Sequence, residues 1–219
     1  MLAVIWKDIL LEARGRETIS ALFVLGVVIL LIFNFAIDVE PSNVSRLAPG
    51  MLWVAIVFSA MLGLGRAFLI ERENGCMTAL LLSPIDRGAL FLAKLVVNTL
   101  LLLTFEALIL PVFSLMFGLD LATFLPGLIV VLSLATIGLA AAGTLFALAA
   151  LGTRARELML PLIVLPLQMP LLIAAVKATD IVMRGGSVFD LGAWGSILLA
   201  FDTLFVTVGW LAFEFISVD

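Results

Sequence analysis

Six long apolar runs, at 19–37, 48–70, 95–119, 121–151, 158–176 and 191–213, divide this 219-residue chain and leave few folds open to it. A bilayer core about 30 Å thick is crossed by roughly 20 helical residues at 1.5 Å rise each, and every run comes close to or exceeds that length. Only three hold a charge: Arg66 near the end of the second, Glu106 within the third and Asp202 within the sixth. The composition agrees, with 64% hydrophobic and 13% charged residues and a mean hydropathy of +1.30. A soluble domain carries about twice that charged fraction. The runs predict an all-α integral membrane protein of six transmembrane helices. Without a linker, low-complexity tract or repeat, residues 1–219 read as a single domain.

Residues 1–17, ahead of the first run, carry several charges, and that run lacks a small-residue cleavage site, so it is expected to remain as an anchor. Its preceding segment places Leu2, Ile5, Trp6, Ile9 and Ala13 at helical spacing, which predicts an interfacial helix over 1–17 with Trp6 in the headgroup layer. An ordinary charged tail is the plain alternative. Cations divide unevenly between alternate sides. Lys7, Arg14, Arg16, Arg66, Arg72, Arg87, Lys94, Arg154 and Arg156 fall on one, against Arg46, Lys177 and Arg184 on the other. The excess marks the cytoplasmic side and places both termini there. The net charge of −4 is dispersed and points to no particular partner.

Histidine is absent, which removes the commonest metal and haem ligand and the usual general base. The lone cysteine, Cys76, excludes an internal disulfide and reads as a small hydrophobe. No GxxxxGK[ST] loop is present to bind nucleotide phosphates. Neither a catalytic residue nor a metal ligand set is expected.

Three runs have further character. The fourth clusters Gly138, Ala142, Gly143, Ala147 and Ala150, spaced for close helix approach within the chain or between copies. Pro161, Pro166 and Pro170 predict a kinked fifth helix, with Pro166 and Pro170 on one face and freed carbonyls forming a polar seam near Gln168. Glu106 and Asp202 are the deepest charges. An ionised carboxylate at mid-membrane costs on the order of 3 kcal/mol, so such a group is paired, protonated or facing water. The two either meet each other, in one chain or across a dimer, or act as structural hydrogen-bonding groups, or lie near a helix end.

Specificity rises in the polar island 71–88, ERENGCMTALLLSPIDRG, stranded between the second and third runs. Glu71, Arg72 and Glu73 continue the second helix, and Gly75 permits a sharp turn. Met77 to Leu82 then form a short apolar helix that Ser83 and Pro84 end. Asp86 can cap the helix that follows. Three leucines on a cytoplasmic turn call for a covering surface of lipid or protein.

The order ERENG, LLLSP, Arg87, Lys94 resembles the first cytoplasmic loop of type-2 ABC exporter permeases. Length near 220 residues, the opening WKDILLEARGRE, the second run APGMLWVAIVFSAMLGLGRAF and the ERENG loop together resemble the CcmB family of cytochrome c maturation permeases, end to end. The resemblance implies that Glu71, Arg72, Glu73, Gly75, Leu81, Ser83, Pro84 and Arg87 form an ATPase-coupling loop. It implies a bacterial inner-membrane complex with a CcmA-like ATPase that binds ATP and Mg, CcmC-like and CcmD-like membrane proteins, a CcmE-like haem chaperone and a second copy of this chain. The complex would handle haem; this subunit itself is expected to bind no cofactor and no nucleic acid. Two alternatives stay open: a type-2 exporter for lipid, drug or polysaccharide, and an ion-coupled transporter built on Glu106 and Asp202.

Overall fold

The computed structural model describes Trp6 and residues 17–36, 41–73, 87–149 and 156–216. They contain six long helices: α1 (Glu17–Ala36), α2 (Pro41–Glu73), α3 (Arg87–Phe117), α4 (Leu121–Ala149), α5 (Arg156–Met183) and α6 (Gly192–Ile216), with a 3-10 turn at Val188–Leu191. Each is long and apolar enough to cross a membrane, so this is a multi-pass membrane protein. No strand occurs among the described residues. The expected interfacial helix at 1–17 lies outside them, apart from the exposed Trp6 and the start of α1 at Glu17, and so do residues 74–86 of the island.

Helix ends depart from the apolar runs where local chemistry decides. α2 starts at Pro41, seven residues before its apolar run, because proline at a first helical position loses no hydrogen bond and its fixed φ suits a helix. Its 33 residues span about 50 Å, more than a bilayer core, and Glu71 to Glu73 continue it as expected. α5 runs on to Met183 and ends in a Schellman motif. Gly186 N–H bonds Ile181 O at 2.9 Å and Gly185 N–H bonds Val182 O at 3.0 Å. Gly185 takes the left-handed conformation, φ 87°, that this ending requires. Between α3 and α4 the chain reverses at Gly118, φ 63°. There Ser114 Oγ–H donates to Leu119 O at 2.7 Å, and Thr123 Oγ1–H donates to Asp120 Oδ2 at 2.7 Å at the start of α4.

α4 is the axis of the bundle. α2, α5, α6 and α3 surround it, each in contact with the next, and α1 packs outside against α2 and α3. The small residues Gly138, Ala142, Gly143 and Ala147 are buried, as expected of a packed run, and their contacts are with helices of the same chain; Ala150 lies outside the described residues. Each α4 glycine receives a side chain from a neighbour: Gly127 takes Val182 of α5, Gly138 takes Leu171 of α5 with Asp202 and Phe201 of α6, and Gly143 takes Leu64 of α2. With no Cβ on these glycines, neighbouring side chains seat directly on the α4 backbone, a close packing that in lipid replaces the hydrophobic drive to associate.

One expectation for α5 is corrected. Pro166 and Pro170 are exposed on its outer face, whereas Gln168 is buried and donates from Nε2 to Leu139 O of α4 at 3.1 Å. Two residues along a helix is about 200° of rotation, so Gln168 points away from both prolines and joins no seam with them. The helix itself is continuous through all three prolines.

Candidate functional site

Polar side chains in the bundle gather at one depth. Glu106 of α3 is buried, and Thr136 Oγ1–H of α4 donates to its Oε1 at 2.5 Å. Asp202 of α6 is buried with Oδ1 against Gly138 of α4, and Gln168 of α5 reaches Leu139 O of α4. One turn of α4, residues 136–139, therefore meets a polar side chain from three of its four neighbours. The fourth also has one at this level: Leu64 sits on Gly143, so on these parallel helices Ser59 of α2 lies level with Gly138. Ser59 Oγ–H donates outward to Leu22 O of α1 at 3.2 Å.

This layout decides among the readings of the two carboxyls. Both lie well inside their helices, so neither is a displaced helix-end charge. They do not form a pair in one chain. Glu106 takes its bond from Thr136, whereas Asp202 lies against Gly138, two residues further along α4 and about 200° further round it. Among the described residues, Glu106 Oε2, Gln168 Oε1 and Asp202 Oδ1 are buried with no hydrogen-bond partner. Unsatisfied acceptors in a lipid-embedded bundle are expensive, so this layer is a place of stored polarity rather than inert packing. Among the described residues no cluster of Cys, Asp and Glu is suited to hold a metal ion.

Two further polar pairs tie helices together. Asn98 Nδ2–H of α3 donates to Thr144 Oγ1 of α4 at 2.8 Å, two turns from the Glu106–Thr136 contact. Trp53 Nε1–H of α2 donates to Thr179 Oγ1 of α5 at 2.9 Å. Sequence reasoning missed Thr136, Asn98, Thr144 and the inward turn of Gln168. Their signal was present as equal spacing, since Asn98 to Glu106 on α3 matches Thr136 to Thr144 on α4.

The island is held by two stems. Glu71, Arg72 and Glu73 form the last turn of α2, and Arg87 is the first residue of α3. Because α2 and α3 pack together, the island leaves from and returns to one end of the bundle. The side chains of those four residues, and Gly75, Leu81, Ser83 and Pro84 altogether, lie outside the described residues. Below the island the stems grip different helices. Gly63 of α2 receives Leu22 of α1, while Gly88 of α3 receives the indole of Trp210 of α6.

Comparison with known proteins matches residues 1–216 to the model of a family described as CcmB protein. Among curated relatives, heme exporter protein B of Paracoccus denitrificans is 30% identical over 190 residues, 87% of this chain and 85% of that one. The protein of the same name from Pseudomonas aeruginosa is 34% identical over 176 residues, covering 80% and 78%. That from Bradyrhizobium diazoefficiens is 30% identical over 210 residues, covering 94% and 92%. A match running from the first residue to the last turn of α6, through all six helices and both stems of the island, means that the chain belongs to the CcmB family.

Proposed function

We propose that this protein is the membrane permease subunit of a haem-exporter-type ABC complex of cytochrome c maturation, turning ATP hydrolysis by a separate subunit into movement of the helix bundle. The observation that carries the reading is the whole-length family match, with the ERENG–LLLSP island set between two adjoining helices at one end of the bundle. The chain has no phosphate-binding loop, so the ATP and Mg belong to a CcmA-like ATPase that docks on the island. Glu71, Arg72, Glu73 and Arg87 make charge-assisted contacts with it, Leu81 enters a groove, and Gly75, Ser83 and Pro84 set the loop's shape.

In this reading the protein lies in the bacterial inner membrane, with both termini and the island in the cytoplasm, as the distribution of lysine and arginine favours. It has no active site of its own. It works as a pair with a second copy, beside CcmC-like and CcmD-like proteins, on a haem-loaded CcmE-like chaperone, and haem is cargo of the complex. The ion-coupled alternative loses ground because Glu106 and Asp202 contact different residues of α4, Thr136 and Gly138.

Gentle affinity purification of the tagged chain, with identification of what binds, tests the proposal. An ATPase together with a CcmC-like protein is the expected result. An ATPase without haem-handling partners points to an exporter of another cargo, and no ATPase overturns the reading.

A further inference from the structure

Gly88 is the second residue of α3, one position beyond Arg87 at the end of the island. A Cβ on Gly88 would overlap the indole of Trp210 on α6, so that ring lies flush on the α3 backbone. The converse contact is adjacent. A Cβ on Gly209 of α6 would overlap the ring of Phe91 of α3, and Phe91 also meets Phe213 at 6.3 Å between ring centroids. Two aromatic knobs thus cross one seam in opposite directions, each seated on a glycine of the other helix. Phe91 is fully buried and Trp210 is exposed on its outer face, so the seam resists sliding through the seating of each ring on the glycine backbone beneath it.

The other stem has no such connection. α2 packs against α1, α3, α4 and α5, and α6 packs against α3, α4 and α5, with no contact between α2 and α6 among the described residues. A displacement entering at the α3 end of the island therefore meets α6 directly at this seam, whereas one entering through α2 reaches α6 only by way of another helix. Eight residues earlier on α6, about 12 Å along the helix, Asp202 rests on Gly138 of the central helix.

We propose that Gly88, Phe91, Gly209 and Trp210 form a rigid joint that passes movement of the island to α6, and through the Asp202–Gly138 contact to α4. The four are positioning residues. The inference rests on the reading of the island as an ATPase contact. It adds which transmembrane helix receives the motion.

The test uses the full chain in complex with its co-expressed ATPase in nanodiscs, with Cys76→Ser and spin labels on two exposed positions, Leu204→Cys of α6 and Val24→Cys of α1. In this parent the label separation is expected to differ between nucleotide-free and ATP-bound states. Gly209→Ala forces a methyl into the Phe91 ring and is expected to abolish the difference while the ATPase stays bound. Adding Phe91→Ala clears that space and is expected to restore it. Trp210→Phe, which overfills nothing, is expected to reduce the difference and keeps the test open where Gly209→Ala disrupts folding. A full difference in Gly209→Ala or Trp210→Phe, no restoration by Phe91→Ala, or no difference in the parent with ATPase bound would each overturn the joint but not the docking. Failure of any ATPase to bind the parent would overturn the proposed function and the joint together.

Discussion

Thr136 holds Glu106 across the α3–α4 seam through a 2.5 Å hydrogen bond at the middle of the bundle, with both residues buried. The same seam carries the Asn98–Thr144 bond two turns away, so the antiparallel register of these helices is fixed at two rungs. Sliding α3 past α4 by one residue would break both at once. Glu106 is in this light first a register residue, whatever else its carboxyl does.

Glu106→Gln preserves the size of the side chain and the carbonyl oxygen that accepts from Thr136. It is expected to insert, fold and support cytochrome c maturation at close to the parent level. Thr136→Val removes the donor and is expected to lower stability by about 1 kcal/mol, the scale of hydrogen bonds between membrane helices. Thermal unfolding in detergent and spectroscopic measurement of c-type cytochromes check the two. Loss of maturation in a well-folded Glu106→Gln protein would favour the ion-coupled reading instead.

How much of this was legible beforehand differs by element. Six spans followed from length and hydropathy alone, because hydrocarbon leaves the backbone few choices. The burial of α4 was readable from its glycines and alanines. The inward turn of Gln168 is encoded in the rotation of about 100° per residue that separates it from Pro166 and Pro170, but the prolines mark a lipid-facing side rather than a polar seam. The separate contacts of Glu106 with Thr136 and of Asp202 with Gly138 are not legible at all. They depend on which helices surround α4, and apolar runs of similar composition do not encode their own neighbours.

Gly138→Ala tests the crowded centre. Its new methyl would meet Asp202 Oδ1, Leu171 and Phe201 together, so α4 must part from both α5 and α6. Overpacking of this kind costs roughly 1–3 kcal/mol. Adding Asp202→Ala removes the nearest of these neighbours and is expected to recover part of the loss. Unfolding midpoints of the single and double variants decide it, and equal stability of Gly138→Ala and the parent would contradict the packing described.

Trp53 separates the value of a hydrogen bond from that of volume. Thr179→Val removes the acceptor for Trp53 Nε1–H at nearly constant volume and is expected to cost on the order of 1 kcal/mol. Trp53→Ala opens a cavity beside α5 and is expected to cost about 3–5 kcal/mol. A small difference between the two variants in detergent unfolding would mean that the surrounding helices collapse into the space.

The sidedness proposed from charge is open to direct labelling. Cys76 lies in the island, and a Ser187→Cys variant in a Cys76→Ser background places a thiol in the turn between α5 and α6, where Ser187 is exposed. A membrane-impermeant maleimide is expected to label Ser187→Cys in intact spheroplasts and Cys76 only in inverted vesicles. The reverse pattern would turn the whole topology over and remove the cytoplasmic ATPase from reach of the island.

Arg87→Glu addresses the island itself. Arg87 opens α3, next to the Gly88 on which Trp210 rests, so a contact made by its side chain acts directly on the stem joined to α6. Reversing its charge replaces attraction to an acidic ATPase surface with repulsion, while the other eight cations on this side, against three on the other, keep the topology. The expected outcome is a complex that reaches the membrane in normal amount yet hydrolyses ATP without producing holocytochrome c. Arg87→Lys, which keeps the charge but not the planar fork, is expected to fall between the two. Full maturation by Arg87→Glu would show that the ATPase does not read this position.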